Sequence, residues 1–180
     1  KYSLIFITLL CAVLSGYGQT TVTYDFSDPV ASSGFTTSVS LDANISFESF
    51  RNSGTANPVI NSGQLRLYQN EIKGGSIIIT PSNGATITNV VINASGTTGP
   101  AGYTVDGGAA TNLASSTTYT MSSISVTSEL EFYQRDSASS NRIYVDSFEV
   151  TYIMPITGPT ITVTQATGGT INPGTTNVPN

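Results

Sequence analysis

The sequence predicts an all-β protein: an antiparallel β-sandwich of the jelly-roll type with about ten strands, a density that suits sandwiches, whose strands recur every 8–12 residues or so. Three observations carry this prediction. From Thr21 to Tyr152 apolar and polar residues alternate in short runs rich in Val, Ile, Thr, Tyr and Phe, the period of a strand with one buried face. Gly, Asn, Ser and Pro punctuate those runs, as turns require. No stretch in that span keeps a helical period.

The elements follow in order. Residues 1–18 read as a secretory signal peptide: Lys1, the apolar run LIFITLLCAVL from Leu4 to Leu14, then Ser15, Gly16 and Gly18 before Gln19. The run is shorter than the roughly 20 residues a spanning helix needs, so no membrane insertion is expected after cleavage. Residues 19–153 form the expected sandwich domain. Its strands are placed in TVTYDF, FTTSVS, NISFESF, QLRLYQ, GSIIIT, TITNVVINA, GYTVD, TTYTM, SISVTSELEFY and RIYVDSFEVTY. PSNGA and VDGGA carry Asn-Gly and Asp-Gly, the pairs that tolerate positive φ in tight hairpins. Residues 154–160, with Pro155 and Gly158-Pro159, read as a linker. Residues 161–180 begin a further β-rich module, Ig-like or repeat-like, too short to bury a core, so the chain reads as part of a longer protein.

Composition excludes much chemistry. The chain has one Cys, no His and no Trp. Cys11 falls within the expected signal, so disulfides, thiolate or imidazole metal sites and His-assisted nucleophiles are excluded from the sandwich. The net charge is −5, with six basic residues against 11 acidic. That is too few cations to neutralise a nucleic-acid backbone.

One strand breaks its own alternation. In NRIYVDSFEVTY, Ile143 and Val145 share one parity while Phe148, Val150 and Tyr152 share the other. One extra residue near Asp146 and Ser147, a β-bulge, restores a continuous apolar face. If RDSASSN is a hairpin loop, this strand pairs with SISVTSELEFYQ, placing Phe132 beside Val145 and Leu130 beside Phe148. Such a hairpin gathers Glu129, Glu131, Asp146 and Glu149 on one outer face. Three readings are weighed for them: a screened solvated face, a Ca²⁺ site of hard oxygen ligands, and a glycosidase-type carboxylate pair, which an open sheet face without a cleft does not favour. The same pairing makes Tyr133 and Tyr144 neighbours, flanked by Arg135 and Arg142. They are either a cross-strand aromatic pair or a stacking platform for a sugar ring.

A signal peptide cleaved before Gln19, the stretch IIITPSNGATITNVVINASGTTGP and the closing RIYVDSFEVTY together resemble the jelly-roll accessory modules of secreted multidomain bacterial proteins, similar to galactose-binding and carbohydrate-binding modules. The resemblance spans about Thr21 to Tyr152. It implies a structural calcium near an Asp of the last strand and acids of the first, here Asp146 with Asp25 or Asp28. The chain departs from such modules in lacking the Trp platforms they use for sugars.

The expected function is therefore that of a non-catalytic secreted or cell-surface module for polysaccharide binding or adhesion, with Ca²⁺ as the one cofactor its carboxylates suit. Two alternatives stand beside it: the N-terminal accessory part of a secreted hydrolase (glycosidase or nuclease), and an architectural spacer without ligand. The candidate metal ligands are Asp25, Asp28, Glu131 and Asp146. The candidate ligand-binding residues are Tyr133, Tyr144, Arg135 and Arg142.

Overall fold

A computed structural model describes residues 18–27, 38–95, 99–138 and 141–155, which belong to one unit, Gly18–Pro155. Residues 1–17 of the expected signal, Asp28, most of the expected linker and the expected second module lie outside the described residues.

The expected antiparallel sandwich is present. Twelve strands are described: β1 (Gln19–Asp25), β2 (Val39–Ser40), β3 (Ile45–Phe50), β4 (Val59–Asn61), β5 (Gln64–Leu67), β6 (Ser76–Pro81), β7 (Thr86–Ser95), β8 (Ala101–Val105), β9 (Thr111–Leu113), β10 (Thr118–Val126), β11 (Leu130–Gln134) and β12 (Ile143–Ile153). The first sheet runs β10-β7-β12-β5-β4, with β1 also on β12, and the second runs β2-β3-β6-β11-β8-β9. Between them alternate side chains such as Leu65, Leu67, Ile77, Ile79, Ile92, Leu130, Phe132 and Val150 are fully buried. Tyr24, Phe26, Phe47 and Phe148 join the two sheets at one end, with ring centroids between 4.7 and 6.0 Å apart, the mixed edge and offset contacts that aromatic quadrupoles favour.

Two expectations about connections are corrected. SISVTSELEFYQ is not one strand: β10 ends at Val126 in the first sheet and β11 begins at Leu130 in the second. The cause is Asp106, whose carboxylate accepts the backbone N–H groups of Thr127, Ser128 and Glu129 and both hydroxyls of Thr127 and Ser128, at 2.8–3.1 Å. Satisfying three successive N–H groups away from any ladder lets the chain cross between sheets. Nor do β11 and β12 form a hairpin. β11 pairs with β6 and β8, and β12 with β7, β5 and β1, so Phe132 and Val145 face the same core from opposite sheets. An apolar face on each strand fits a cross-sheet connection as well as a hairpin, and the turn between them carries no Asn-Gly or Asp-Gly to decide.

Asn83 and Gly84 take the expected positive φ, 54° and 78°, but their turn leads from β6 in the second sheet to β7 in the first. The Asp106-Gly107 turn does close a hairpin, β8 with β9.

The bulge itself is real. Along β12, Val145 pairs with Ala94 and Ser147 with Asn93, leaving Asp146 as the extra residue. Its partner is β7 rather than β11. On the other edge of β12 the bulge marks a change of neighbour: β5 pairs with residues 143–145 and β1 with residues 147–153. Asp146 serves both. Its carbonyl accepts the N–H of Phe26 just past β1 at 2.9 Å, and its Oδ1 accepts Gln64 Nε2 of β5 at 2.8 Å.

Candidate functional site

The outer faces of the two sheets carry similar residues in different states. On the first sheet, β5 turns Leu65 and Leu67 into the core, which obliges Gln64 and Arg66 to face outward, with Tyr68 continuing their parity. β12 turns Ile143 and Val145 inward and presents Tyr144, with Arg142 just before the strand. Register sets Arg66 directly opposite Tyr144, and the same register carried one residue pair further sets Tyr68 beside Arg142. Aromatic and cation thus alternate both along and across the strands. The Arg66 guanidinium lies 5.0 Å from the Tyr144 ring and 6.0 Å from the Tyr68 ring, and that of Arg142 lies 4.9 Å from Tyr68, within reach of cation–π attraction.

Hydrogen bonds extend this surface at both ends. Arg142 donates Nε to Gln69 Oε1 at 2.8 Å. At the other end Gln64 and Ser95 converge on Asp146 Oδ1, at 2.8 and 3.0 Å, and Gln64 also donates to Ser95. Asn93 donates to the Ser147 hydroxyl at 3.2 Å. The result is a strip running from Tyr68 and Arg142, through Arg66 and Tyr144, to Gln64 and Asp146. Among the described residues, no acid forms an ion pair with Arg66 or Arg142, and the buried Nε of Arg66 has no hydrogen-bond acceptor.

On the outer face of the second sheet, the patch around Glu131 and Tyr133 is covered. Glu131 and Tyr133 point outward from β11 yet are only 5% and 4% exposed, because the segments around Asn52 and Lys73 fold over them. Lys73 forms an ion pair with Glu131 Oε2 and lies 5.5 Å from the Tyr133 ring. Asn52 donates to Glu131 Oε1, Ser76 Oγ and the Gly74 carbonyl at 2.9–3.1 Å. The Tyr133 ring lies against Gly102, its cross-strand neighbour, where an added Cβ would stand 2.6–2.8 Å from ring atoms. Only a residue without a side chain leaves room for the ring there.

Several candidates are therefore separated. Glu131 is held in the second sheet and Asp146 in the first, so the expected four-acid face does not form. Glu129 sits in the turn before β11, and Glu149 pairs with Thr23 and Val91 in the first sheet. Asp25 does come next to the bulge, opposite Ser147. Its Oδ1 accepts the Ser27 N–H at 2.7 Å, a bond that lowers its pKa. Among the described residues no three Asp, Glu, Cys or His side chains converge, and Asp28 lies outside those residues. Of the candidate ligand-binding residues, Tyr144 and Arg142 share the first sheet's outer face. Tyr133 is on the other sheet, and Arg135 is exposed in the loop after β11.

Sequence reasoning missed Arg66 and Tyr68. The signal was present in QLRLYQ, where two leucines of one parity oblige the Arg and Tyr between and after them to face solvent. It missed Lys73 and Asn52 because both lie in loops, brought to Glu131 from about 60 to 80 residues away in sequence.

No family model and no curated protein matches the chain. Among solved structures, a family two carbohydrate esterase from Cellvibrio japonicus is similar at 14% identity and a TM-score of 0.43, covering 77% of this chain and 36% of that one. The present chain thus spans about a third of that structure's length.

Proposed function

We propose that the chain is a non-catalytic, secreted β-sandwich module that binds polysaccharide through the outer face of its first sheet. The observation that carries this reading is the alternation of Tyr68, Arg66, Tyr144 and Arg142, all half-buried, on one outer sheet face. Aromatic rings supply the apolar faces against which a sugar ring stacks, and guanidinium groups supply donors for its hydroxyls. A flat strip on paired strands suits an extended chain of sugars better than a small enclosed molecule, which needs a concave pocket. As an accessory part of a surface protein or secreted hydrolase, such a module would hold its neighbours on the polymer.

Electrophoresis of the full chain through gels containing individual polysaccharides tests this. Retardation by at least one polymer is expected, and the pair Tyr68→Ala and Tyr144→Ala should abolish it. Migration unaffected by every polymer would leave the spacer reading.

Calcium is a second reading of the same edge. Asp25 pairs with Ser147, the residue after the bulged Asp146, and Asp146 Oδ2 accepts no hydrogen bond among the described residues. Calcium takes 6–8 oxygens or so, the remainder coming from solvent or neighbouring hydroxyls. A rise in Tm with calcium that Asp25→Asn removes would support it. A Tm indifferent to both calcium and chelator would dismiss it.

A further inference from the structure

Resting on that reading, we infer that the polysaccharide is anionic, a polymer of uronic acids whose carboxylates pair with Arg66 and Arg142. The chain is acidic, with 11 Asp and Glu against six Lys and Arg, so an arginine on its surface has carboxylates available to it. Among the described residues only Lys73 takes one, Glu131. Arg66 and Arg142 instead lie over tyrosine rings on one strip. No hydrogen bond within the described residues reaches the guanidinium of Arg66, and that of Arg142 makes one, to the neutral Gln69. Among the described residues neither charge is neutralised.

Two guanidinium groups beside the same Tyr68 ring repel each other. Their common neighbour is an aromatic face, which attracts each cation without cancelling its charge. A carboxylate on the ligand would do so, and the planar guanidinium fork matches its two oxygens in a bidentate pair. The acid on the strip lies at its far end: Asp146, held by Gln64 and Ser95. One charge per sugar ring, spaced by neutral hydroxyls, fits a short cationic stretch bounded by an acid. A densely charged polyphosphate does not, because its binding needs many cations in series.

The test compares polygalacturonate with its fully methyl-esterified, neutral form, by titration calorimetry on the full chain. The wild-type chain should bind the acid form at least about tenfold more tightly at low salt, as expected for charge-assisted bonds, and this preference should shrink as salt rises. Arg66→Gln with Arg142→Gln should erase the preference, whereas Arg135→Gln, an equal loss of charge on the exposed loop, should keep it. Arg66→Lys with Arg142→Lys keeps the charge and removes the fork. It should retain the salt dependence while binding several-fold more weakly, and it preserves the test should the glutamine pair fail to fold. Equal affinity for acid and ester would overturn the inference and leave the polysaccharide reading standing. Binding to neither, nor to any other polysaccharide, would overturn both. Equal or tighter binding of dextran sulfate or DNA would overturn it in favour of unspecific polyanion attraction.

Discussion

The two outer sheet faces place a cation over a tyrosine in the same way and use it for different ends. Over Tyr133, Lys73 meets Glu131, Asn52 closes the remaining oxygen, and Gly102 lets the ring lie flat, so the cluster is complete within the chain. Over Tyr68 and Tyr144, Arg142 and Arg66 have no carboxylate among the described residues, and the strip stays half-buried. A balanced, covered cluster stabilises the fold. The half-buried strip, unbalanced among the described residues, is the face proposed to bind.

Breaking the closed cluster should have the largest effect on stability. Glu131→Ala removes a buried carboxylate with its ion pair and its Asn52 hydrogen bond, and should cost about 2–3 kcal/mol in urea unfolding, below the full range for buried pairs because Lys73 is 38% exposed. Polysaccharide retardation should persist in this variant. Gly102→Val would push the Tyr133 ring off the sheet and should cost about 1–3 kcal/mol, again without affecting binding.

Acid acts on neither face but on carboxylates in two turns between strands. The Asp42 carboxyl is pushed up by burial, but the Tyr152 hydroxyl and the N–H groups of Asn44 and Ile45 outweigh this and hold its pKa below the ordinary value. In Asp106, burial is likewise outweighed, by the N–H of Ser128, the Thr127 hydroxyl and the N–H groups of Glu129 and Thr127. Groups with a depressed folded-state pKa contribute stability that is present above their unfolded value near 3.9 and is lost as pH falls through the folded value. Unfolding free energy should therefore fall below about pH 4, and Asp42→Asn should flatten part of that decline. The smallest effect on stability is expected from Arg66→Gln, which loses contacts to the Tyr144 and Tyr68 rings, each worth about 0.5–1 kcal/mol. If that variant destabilises as much as Glu131→Ala, the contrast between the faces fails.

The strands were legible wherever alternation was strong and local. QLRLYQ, GSIIIT and TITNVVINA each yield a strand, and the parity slip at Asp146 announces a bulge. What remained illegible was long-range. β4 is three residues long after Pro58, too short to show a period. The break after Val126 depends on an aspartate about 20 residues upstream. The pairing of β12 depends on which sheet β11 joins, and an inward apolar face is the same in either. The site suffered for that reason. Tyr144 and Arg142 were correctly drawn together by their spacing, while Tyr133 and Glu131 were attached to them by a hairpin that the chain does not make.

Amide NMR of the full chain, titrated with oligosaccharides from whichever polymer retards it, compares the two faces in one experiment. Shift changes should concentrate at residues 64–69 and 142–147 on the first sheet, with the signals of Glu131, Tyr133 and Gly102 unmoved. Changes centred on Glu131 and Tyr133, with the Arg66 and Tyr144 signals still, would contradict the assignment of the binding face.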